Sequence, residues 1–589
     1  MAPRLRRMLP LLLATVVLAP GGPVAGPAVA TTTPTIAQLI GQKLVVAMSG
    51  TTPSASLLGR IQRGEIGGVI LFGANITSAA QLRSLTDRLA AAAAAGGQPK
   101  LLITTDQEGG DVARLDWAPP TLSAPEMGAL GSVTTASAQG KAAGYVLRCA
   151  GINSDLAPVA DVPASSTSFM YRDGRTWSFD APVTAKLSDA FASGLEAGGD
   201  VPAMKHFPGI GLATANTDTS VVTITASKST LAPGLLPYQA AIAHGIPLIM
   251  LSNATYPAYD PANAASWSHA IGVDLLRTQL GFQGVTMTDS LNGTAAARGV
   301  SATSLAIRAA AAGTDMLLLT GSEAGSATTY ASLVQAAQDG TIALAPLRAS
   351  YARILALKST LRSAVADTTP PTVGAPGATL ITGSTLGTTG ARVRVSWSAS
   401  DPCGVSQSTV ERRVNAGAWA TQTLTNPVTS SVTQSLTFGS TYRFAARRAD
   451  GAGNVGAWTY GRTFEPFVRQ STSSLVRYSG GWSTVTSTGY SGGVTRYAST
   501  AGASASYSFT GTSIGWVAAL GPTRGSAKVY IDGTYQATVS LYATTTALRR
   551  IVYVRTWSSQ AGHTIKIVVV GTSRHPRVDL DAFVRLYQP

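Results

Sequence analysis

The sequence predicts a multidomain chain: a (β/α)8 TIM barrel followed by two all-β domains, an immunoglobulin/fibronectin-like sandwich and a jelly-roll-like module. Three observations carry this expectation. The chain has 589 residues, more than one hydrophobic core organises. Residues 31–365 alternate short apolar runs with Ala-rich helical stretches. Past a Pro/Thr segment at 367–372, helix formers give way to alternating Ser, Thr, Val, Tyr and Trp.

In the first region the apolar runs fall at 43–48, 68–72, 101–105, 152–157, 201–205, 247–251, 284–288 and 315–319. Helix-like stretches such as 78–95, 182–197, 234–244 and 304–312 lie between them. Runs that are apolar almost throughout are strands covered on both faces, as in a parallel sheet. Eight such units in about 330 residues fit a closed barrel better than an open doubly wound sheet. No Gly-x-Gly-x-x-Gly turn follows the first run, which also disfavours the open sheet.

The Asp367-Thr-Thr-Pro-Pro-Thr segment cannot continue a helix and reads as a linker. Residues 366–469 then alternate strictly, as in Arg392-Val-Arg-Val-Ser-Trp-Ser, and read as a small sandwich. Residues 470–589 alternate again, as in Ala527-Lys-Val-Tyr-Ile-Asp, and read as a jelly-roll-like unit of the kind that binds carbohydrate. Six Trp lie in these two units: Trp397, Trp419, Trp458, Trp482, Trp516 and Trp557. Exposed aromatic rings stack on sugars, but a Trp on a strand is more often core.

Residues 1–30 read as a secretory signal peptide. Arg4, Arg6 and Arg7 precede the apolar run 9–18, and Ala28-Val-Ala30 is a small-residue cleavage site. The run is too short to span a bilayer, so secretion is expected, with no membrane span after cleavage. Cys149 and Cys403 fall in different units, so no disulfide is expected, and Cys149 reads as a small buried hydrophobe. The net charge is +15, and from residue 366 onward 20 Lys and Arg stand against 8 Asp and Glu. Outside the cell such a surface suits an anionic cell-wall polymer; a solvated surface kept soluble by one sign of charge is the plain alternative. Nucleic acid is not expected, because the chain carries no nucleic-acid motif. A monomer is expected.

Polar motifs follow three of the predicted strands, at the end where barrel enzymes hold their active sites. Asp106-Gln-Glu-Gly-Gly follows the third, Lys205-His-Phe-Pro-Gly the fifth and Thr288-Asp-Ser-Leu the seventh. Each has a purely structural reading. Asp289 can cap a helix, Lys205 can form a buried ion pair with Asp161, His206 can bond backbone in a core, and Arg114 and Arg175 can brace loops.

Together these motifs resemble glycoside hydrolase family 3, and within it the NagZ-type β-N-acetylglucosaminidases. The resemblance covers roughly residues 35–355. It includes Asp106-x-Glu108-Gly-Gly with Arg114, Ala157-Pro-Val-Ala-Asp161-Val, Arg175-Thr-Trp-Ser-Phe-Asp180, the intact Lys205-His-Phe-Pro-Gly and Asp289. It implies a retaining glycosidase with Asp289 as nucleophile. It also implies that Asp106, Arg114, Arg175, Lys205 and His206 bind the hydroxyls of the sugar being cleaved. Retaining chemistry needs one carboxylate to attack the anomeric carbon and one acid to protonate the departing oxygen.

The acid is where this chain departs from the family. The NagZ-type loop after strand five reads Lys-His-Phe-Pro-Gly-His-Gly and then Asp-Ser-His, the last His being the acid/base. Here Ile210 replaces the first His, Asp218 matches the Asp, and Ser220 stands in place of the catalytic His. The stretch leading to Asp218 is two residues longer, and Asn253 stands where the family has another His. A Ser hydroxyl cannot act as the acid, and losing that role costs ~10²–10⁴ in rate. Three accounts stay open: Asp218 donates the proton, another group supplies it, or the barrel binds sugar without cleaving it. His244, His269, His563 and His575 have no metal-ligand spacing, and neither a metal nor a cofactor is expected. The expected partner is a glycan substrate, of cell-wall or chitin type with terminal β-linked N-acetylglucosamine or a similar sugar.

Overall fold

The computed structural model describes residues 33–589. The expected signal peptide lies outside the described residues. Eight parallel strands form the first unit: β1 Leu44–Ala47, β2 Gly68–Ile70, β3 Leu102–Thr105, β4 Ser154–Asp155, β5 Val201–Phe207, β6 Leu248–Leu251, β7 Val285–Thr288 and β8 Leu317–Leu319. Each lies within one of the eight apolar runs or begins in it. Neighbours pair in chain order, β1 also pairs with β8, and a bridge from Met287 to Met316 closes the ring.

The barrel interior is packed by Val45, Leu102, Ala203, Leu248 and Val285, among others. Ile354, Leu357 and Leu361, from and just beyond the last helix, Leu344–Thr360, join that core. Helices cross between the strands, and a Ser or Asp repeatedly marks where one begins. Ser78 caps Ala79–Ala95, Ser132 caps Val133–Cys149, Asp180 caps Ala181–Gly198 and Ser227 caps Lys228–His244, each side chain accepting a first-turn N–H. The last of these starts six residues before the expected 234, with Pro233 and Pro237 inside it. Among the described residues no helix is long and apolar enough to cross a membrane.

Beyond residue 371 the chain is antiparallel β. A three-stranded sheet, Gly377–Leu380, Gly390–Ser396 and Ser431–Thr437, faces a four-stranded one containing Val405–Val414 and Tyr442–Asp450. The alternation of Gly390–Ser396 buries Ala391, Val393 and Val395, which share a core with Val410 and Phe444 of the second sheet. Tyr442 Oη accepts from the Thr437 N–H at 2.8 Å, closing the corner between strands. The remaining strands form a larger antiparallel sheet beside a three-stranded one. Strand Glu465–Gln470, which spans the expected division at 469, pairs with Ala582–Tyr587 of this last unit. Val517, Ile551 and Leu586 join the sandwich core, so the two β units bury one continuous apolar cluster. Trp397 and Trp516 are core residues.

One expectation is overturned. Cys149 and Cys403 form a disulfide, with Cα atoms 5.6 Å apart despite a separation of 254 residues. Cys149 ends the helix Val133–Cys149, and the turn carrying Cys403 packs on that helix. Membership in different units excluded nothing, because the units are packed together. A Cβ on Gly404 would lie 3.3 Å from Val146, and one on Gly453 would lie 2.8 Å from Ala80 of the barrel. Closing a loop of this length removes on the order of 5 kcal/mol of unfolded-chain entropy. The bond also ties the sandwich to the barrel. The folded chain should show no thiol reactive to a chromogenic disulfide reagent, and two after reduction and unfolding. Cys403→Ser should speed proteolytic cleavage of the 367–372 linker, measured by the appearance of the barrel fragment.

Candidate active site

A cavity of about 330 Å³ opens at the C-terminal mouth of the barrel. That is the small end of the ~300–1,000 Å³ range of small-molecule sites and suits one sugar unit. Its floor is Ile70, Leu156, Met250 and Leu318, contributed by or just after β2, β4, β6 and β8. Layers drawn from alternate strands are how a barrel fills its interior. All seven expected site residues, Asp106, Arg114, Arg175, Lys205, His206, Asp218 and Asp289, line this one cavity.

The charges on its wall are organised around a residue missing from that set, Glu108. Its Oε1 lies 2.6 Å from Lys205 Nζ and 2.8 Å from Arg175 Nη2, and its Oε2 accepts from Arg175 Nε at 2.9 Å. Asp106 takes a second contact from Lys205 Nζ at 2.8 Å and lies 3.5 Å from Arg114. Burial alone would raise the Glu108 carboxyl, but Arg175 and Lys205 outweigh it and hold the group well below the ordinary carboxylate range. Burial would likewise lower the Lys205 ammonium, and Asp106 and Glu108 reverse that and raise it. The cations therefore stay charged although Lys205 is only 2% exposed. Glu108 was findable from strand alternation. In an extended segment Asp106 and Glu108 share a face, and Gln107 points the other way. Gln107 instead donates its backbone N–H to Asp155 Oδ1 at 2.8 Å. Burial pushes the Asp155 carboxyl up to about 8.

His206 and Lys205 diverge although adjacent. Asp161, suggested above as a partner for Lys205, contacts His206 Nδ1 at 2.8 Å through Oδ2 and accepts from the Ile210 N–H at 2.7 Å through Oδ1. One buried carboxylate thus orients the imidazole and anchors the start of the following loop. Among the described residues this leaves His206 Nε2 without a protein partner.

Two carboxyls face the cavity without such cations. Asp289 follows β7, its N–H bonded to Leu251 O at 2.9 Å and its Oδ1 accepting from the Ser290 N–H at 2.7 Å. Asp218 sits on the loop after β5, held by the bond from its N–H to Asn216 Oδ1 at 2.8 Å. Its own Oδ1 is buried with no hydrogen-bond partner. Burial first, and the nearby Asp289 carboxylate second, push Asp218 up to about 7, against the pull of His206 and Arg175. The loop rests on the helix Leu291–Arg298, where Gly293 makes room for it: a Cβ there would lie 2.9 Å from Asp218 Cβ. Ser220, at the position of the expected catalytic His, is not among the residues lining the cavity. His244, His269 and His563 pair with Asp189, Asp274 and Asp532 and are likewise not among the lining residues. Asn253 donates to Ser290 O at 2.7 Å and so braces the turn after Asp289.

Among the described residues, one group of candidate metal-ligand atoms comes together, Asp367, Asp401 and Cys403, at the linker. Cys403 Sγ is committed to the disulfide, which leaves two carboxylates and no plausible donor set.

Comparison with known proteins points the same way. The profile described as "Glycosyl hydrolase family 3 N terminal domain" matches residues 35–357. A protein of Arthroderma benhamiae named "Uncharacterized secreted glycosyl hydrolase" is 33% identical over 347 residues, 57% of this chain and 96% of that protein. "Beta-hexosaminidase A" of Pseudoalteromonas piscicida is 33% identical over 44% of this chain, and the match spans about half of that relative, 49%. A crystal structure of a β-N-acetylhexosaminidase from Beutenbergia cavernae superposes with a TM-score of 0.52 at 32% identity, over 56% of this chain and 99% of its own.

Because the cations surround Glu108, its removal should be felt in the whole barrel. Glu108→Ala should cost about 3–5 kcal/mol, since it leaves buried positive charge uncompensated. The urea midpoint of the barrel transition checks this, and Asp218→Ala, which removes no ion pair, should leave that midpoint nearly unchanged.

Proposed function

This chain belongs to glycoside hydrolase family 3, and from that premise we propose that it is a secreted retaining glycosidase of the β-N-acetylhexosaminidase type. Its substrate would be a cell-wall or chitin-type glycan ending in β-linked N-acetylglucosamine or a similar sugar. The single observation that carries this reading is the convergence of two carboxyls in different environments, Asp289 and Asp218, with a ring of charged hydroxyl-binding groups in one sugar-sized cavity. The disulfide supports an oxidising compartment, as does the signal-like N-terminus.

In this proposal Asp106, Arg114, Arg175, Lys205 and His206 hold the sugar, and Asp289 attacks C1. As the C1–O bond breaks, Asp218 passes its proton to the departing oxygen, leaving a glycosyl ester on Asp289. Water then adds to C1, Asp218 takes its proton, and the ester bond breaks to free Asp289. Asp218 suits the acid because it is unpaired, buried and raised to about 7, so that about half of it is protonated at neutral pH. It replaces the missing His in function without occupying its position. A second reading, sugar binding without turnover, is favoured by Ser220 standing where the family's acid/base His belongs.

A protonated Asp218 is required, so kcat/KM on an alkyl glycoside should hold below pH 7 and fall about tenfold per unit above it. Asp218→Asn should remove that alkaline limb. It should also slow alkyl glycosides by ~10²–10⁴ while sparing aryl glycosides, whose leaving groups need little acid help. Asp289→Asn should abolish turnover of both, and a 2-fluoro or 5-fluoro glycosyl inhibitor should label Asp289 in the intact chain by mass spectrometry. Saturable sugar binding with no turnover of any aryl glycoside would select the second reading instead.

We also propose that the basic β units, with 20 Lys and Arg against 8 Asp and Glu, hold the chain on anionic cell-wall polymer. Retention of the full chain on purified wall should fall steeply between 50 and 500 mM NaCl in a sedimentation assay, and salt-independent retention would contradict it.

A further inference from the structure

A second cavity, of about 490 Å³, lies on the seam between the barrel and the sandwich. Phe72 and Arg114 line both this cavity and the one holding Asp289, so the two share a wall. Ile76 and Trp117 line the seam from the barrel, and Gln407 and Val428 from the sandwich. We propose that this seam is a second sugar-binding subsite, holding a further unit of the glycan whose terminal unit occupies the Asp289 cavity. The identity of the ligand rests on the glycosidase reading; the subsite itself goes beyond it, because it assigns substrate binding to the sandwich.

The chemistry of the wall fits a sugar ring. A pyranose presents flat C–H faces rimmed by hydroxyls, and it binds best between apolar or aromatic side chains that carry polar groups at the edge. Phe72 and Trp117 supply rings, and Ile76 and Val428 supply apolar surface. Gln407 is exposed, and among the described residues its side-chain amide makes no protein hydrogen bond, so its donor and acceptor are free for hydroxyls. The Arg114 guanidinium lies 6.0 Å from the Phe72 ring, which places a charged donor and an aromatic face together on the shared wall. The shared wall selects the occupant: a unit bonded to a sugar held in the first cavity has this seam as its neighbouring recess.

The seam also has a set width. Cys403, four residues before Gln407, is bonded to Cys149 of the barrel. A Cβ on Gly404 would lie 3.6 Å from Trp117 O, and one on Gly451 would lie 3.5 Å from Trp117 Nε1, so both sandwich turns press on the residue that lines the seam. Ser406 Oγ donates to Ala449 O and Asp450 O, at 3.1 and 2.8 Å, which locks these turns to each other. A recess between two bodies fixed in this way is pre-organised and does not have to close on its ligand.

The test uses the full chain and two probes, N-acetylglucosamine and N,N′,N″-triacetylchitotriose. Binding is measured by calorimetry in the Asp289→Asn background, and turnover of an aryl N-acetylglucosaminide in the active background. Gln407→Ala, and Gln407→Ala with Val428→Ser, should weaken trisaccharide binding about fivefold to tenfold, the loss expected for a hydrogen bond and its apolar neighbour. Monosaccharide binding and aryl-glycoside turnover should stay within twofold. The proposal is overturned if the trisaccharide binds no tighter than the monosaccharide, if the substitutions leave the trisaccharide unchanged, or if both probes weaken equally. Gln407 is exposed, so the single variant separates a lost contact from a lost fold. Absence of aryl-glycoside turnover with Gln407-sensitive trisaccharide binding would sink the glycosidase reading and keep the subsite; turnover with Gln407-insensitive binding would do the reverse.

Discussion

Glu108 stands between Lys205 and Arg175, with contacts of 2.6 and 2.8 Å, and much of the site's geometry follows from that contact. Two cations beneath a sugar-sized cavity are costly to desolvate, and a carboxylate that is itself held ionised offsets that cost. Glu108 comes from the segment after β3, Lys205 from β5 and Arg175 from the loop between β4 and β5. Their mutual neutralisation therefore also fixes where two strand ends and one loop stand relative to one another. Asp106 extends the network to Arg114 at the cavity's edge. A polar ligand entering here meets charges already in place, with little reorganisation left to perform.

Against that network the two remaining carboxyls are distinguished by what they lack. Asp218 has no cation in bonding distance, one buried oxygen without a partner, and Asp289 for a neighbour. Like charge and burial act in the same direction on it. Asp289 receives the Ser290 N–H and stands at a strand end whose backbone is bonded to β6. Two groups of the same chemical type thus stand in different surroundings, and burial and like charge raise the Asp218 carboxyl. At the position of the family's His stands Ser220, and the neighbouring Asp218 carboxyl faces the cavity directly.

The β units are more than a tail. The Cys149–Cys403 bond and the close approach of Gly404, Gly451 and Gly453 to the barrel hold the sandwich against it. The last unit shares a core with the sandwich through Val517, Ile551 and Leu586. The barrel, the sandwich and the last unit are therefore joined in series, and the excess of basic residues lies on the latter two.

The barrel was legible in the sequence because its signals are local. Most strands are apolar runs of a few residues, many helix starts carry a capping side chain, and the polar motifs sit immediately after the strands that aim them. For that reason the eight strands, and the seven side chains that meet at the mouth, could be read from spacing and from motif resemblance before any coordinates. What the chain does over long separations was not legible. Cys149 and Cys403 are 254 residues apart, and nothing in their neighbourhoods announces that two units will dock at that point. Glu108 stood inside the Asp106-x-Glu108-Gly-Gly motif, yet its place at the centre of the charges depends on Lys205 arriving from β5 and Arg175 from the loop before it. Asp161 pairs with His206, while the Lys205 ammonium is taken up by Asp106 and Glu108, which arrive from the segment after β3. The sequence by itself determined which groups are available and roughly which end of the barrel they occupy. Only the tertiary structure decided which charges neutralise one another, which carboxyl is left unpaired and where the sandwich meets the barrel, because desolvation and ion pairing are set by segments that become neighbours only once the chain has folded.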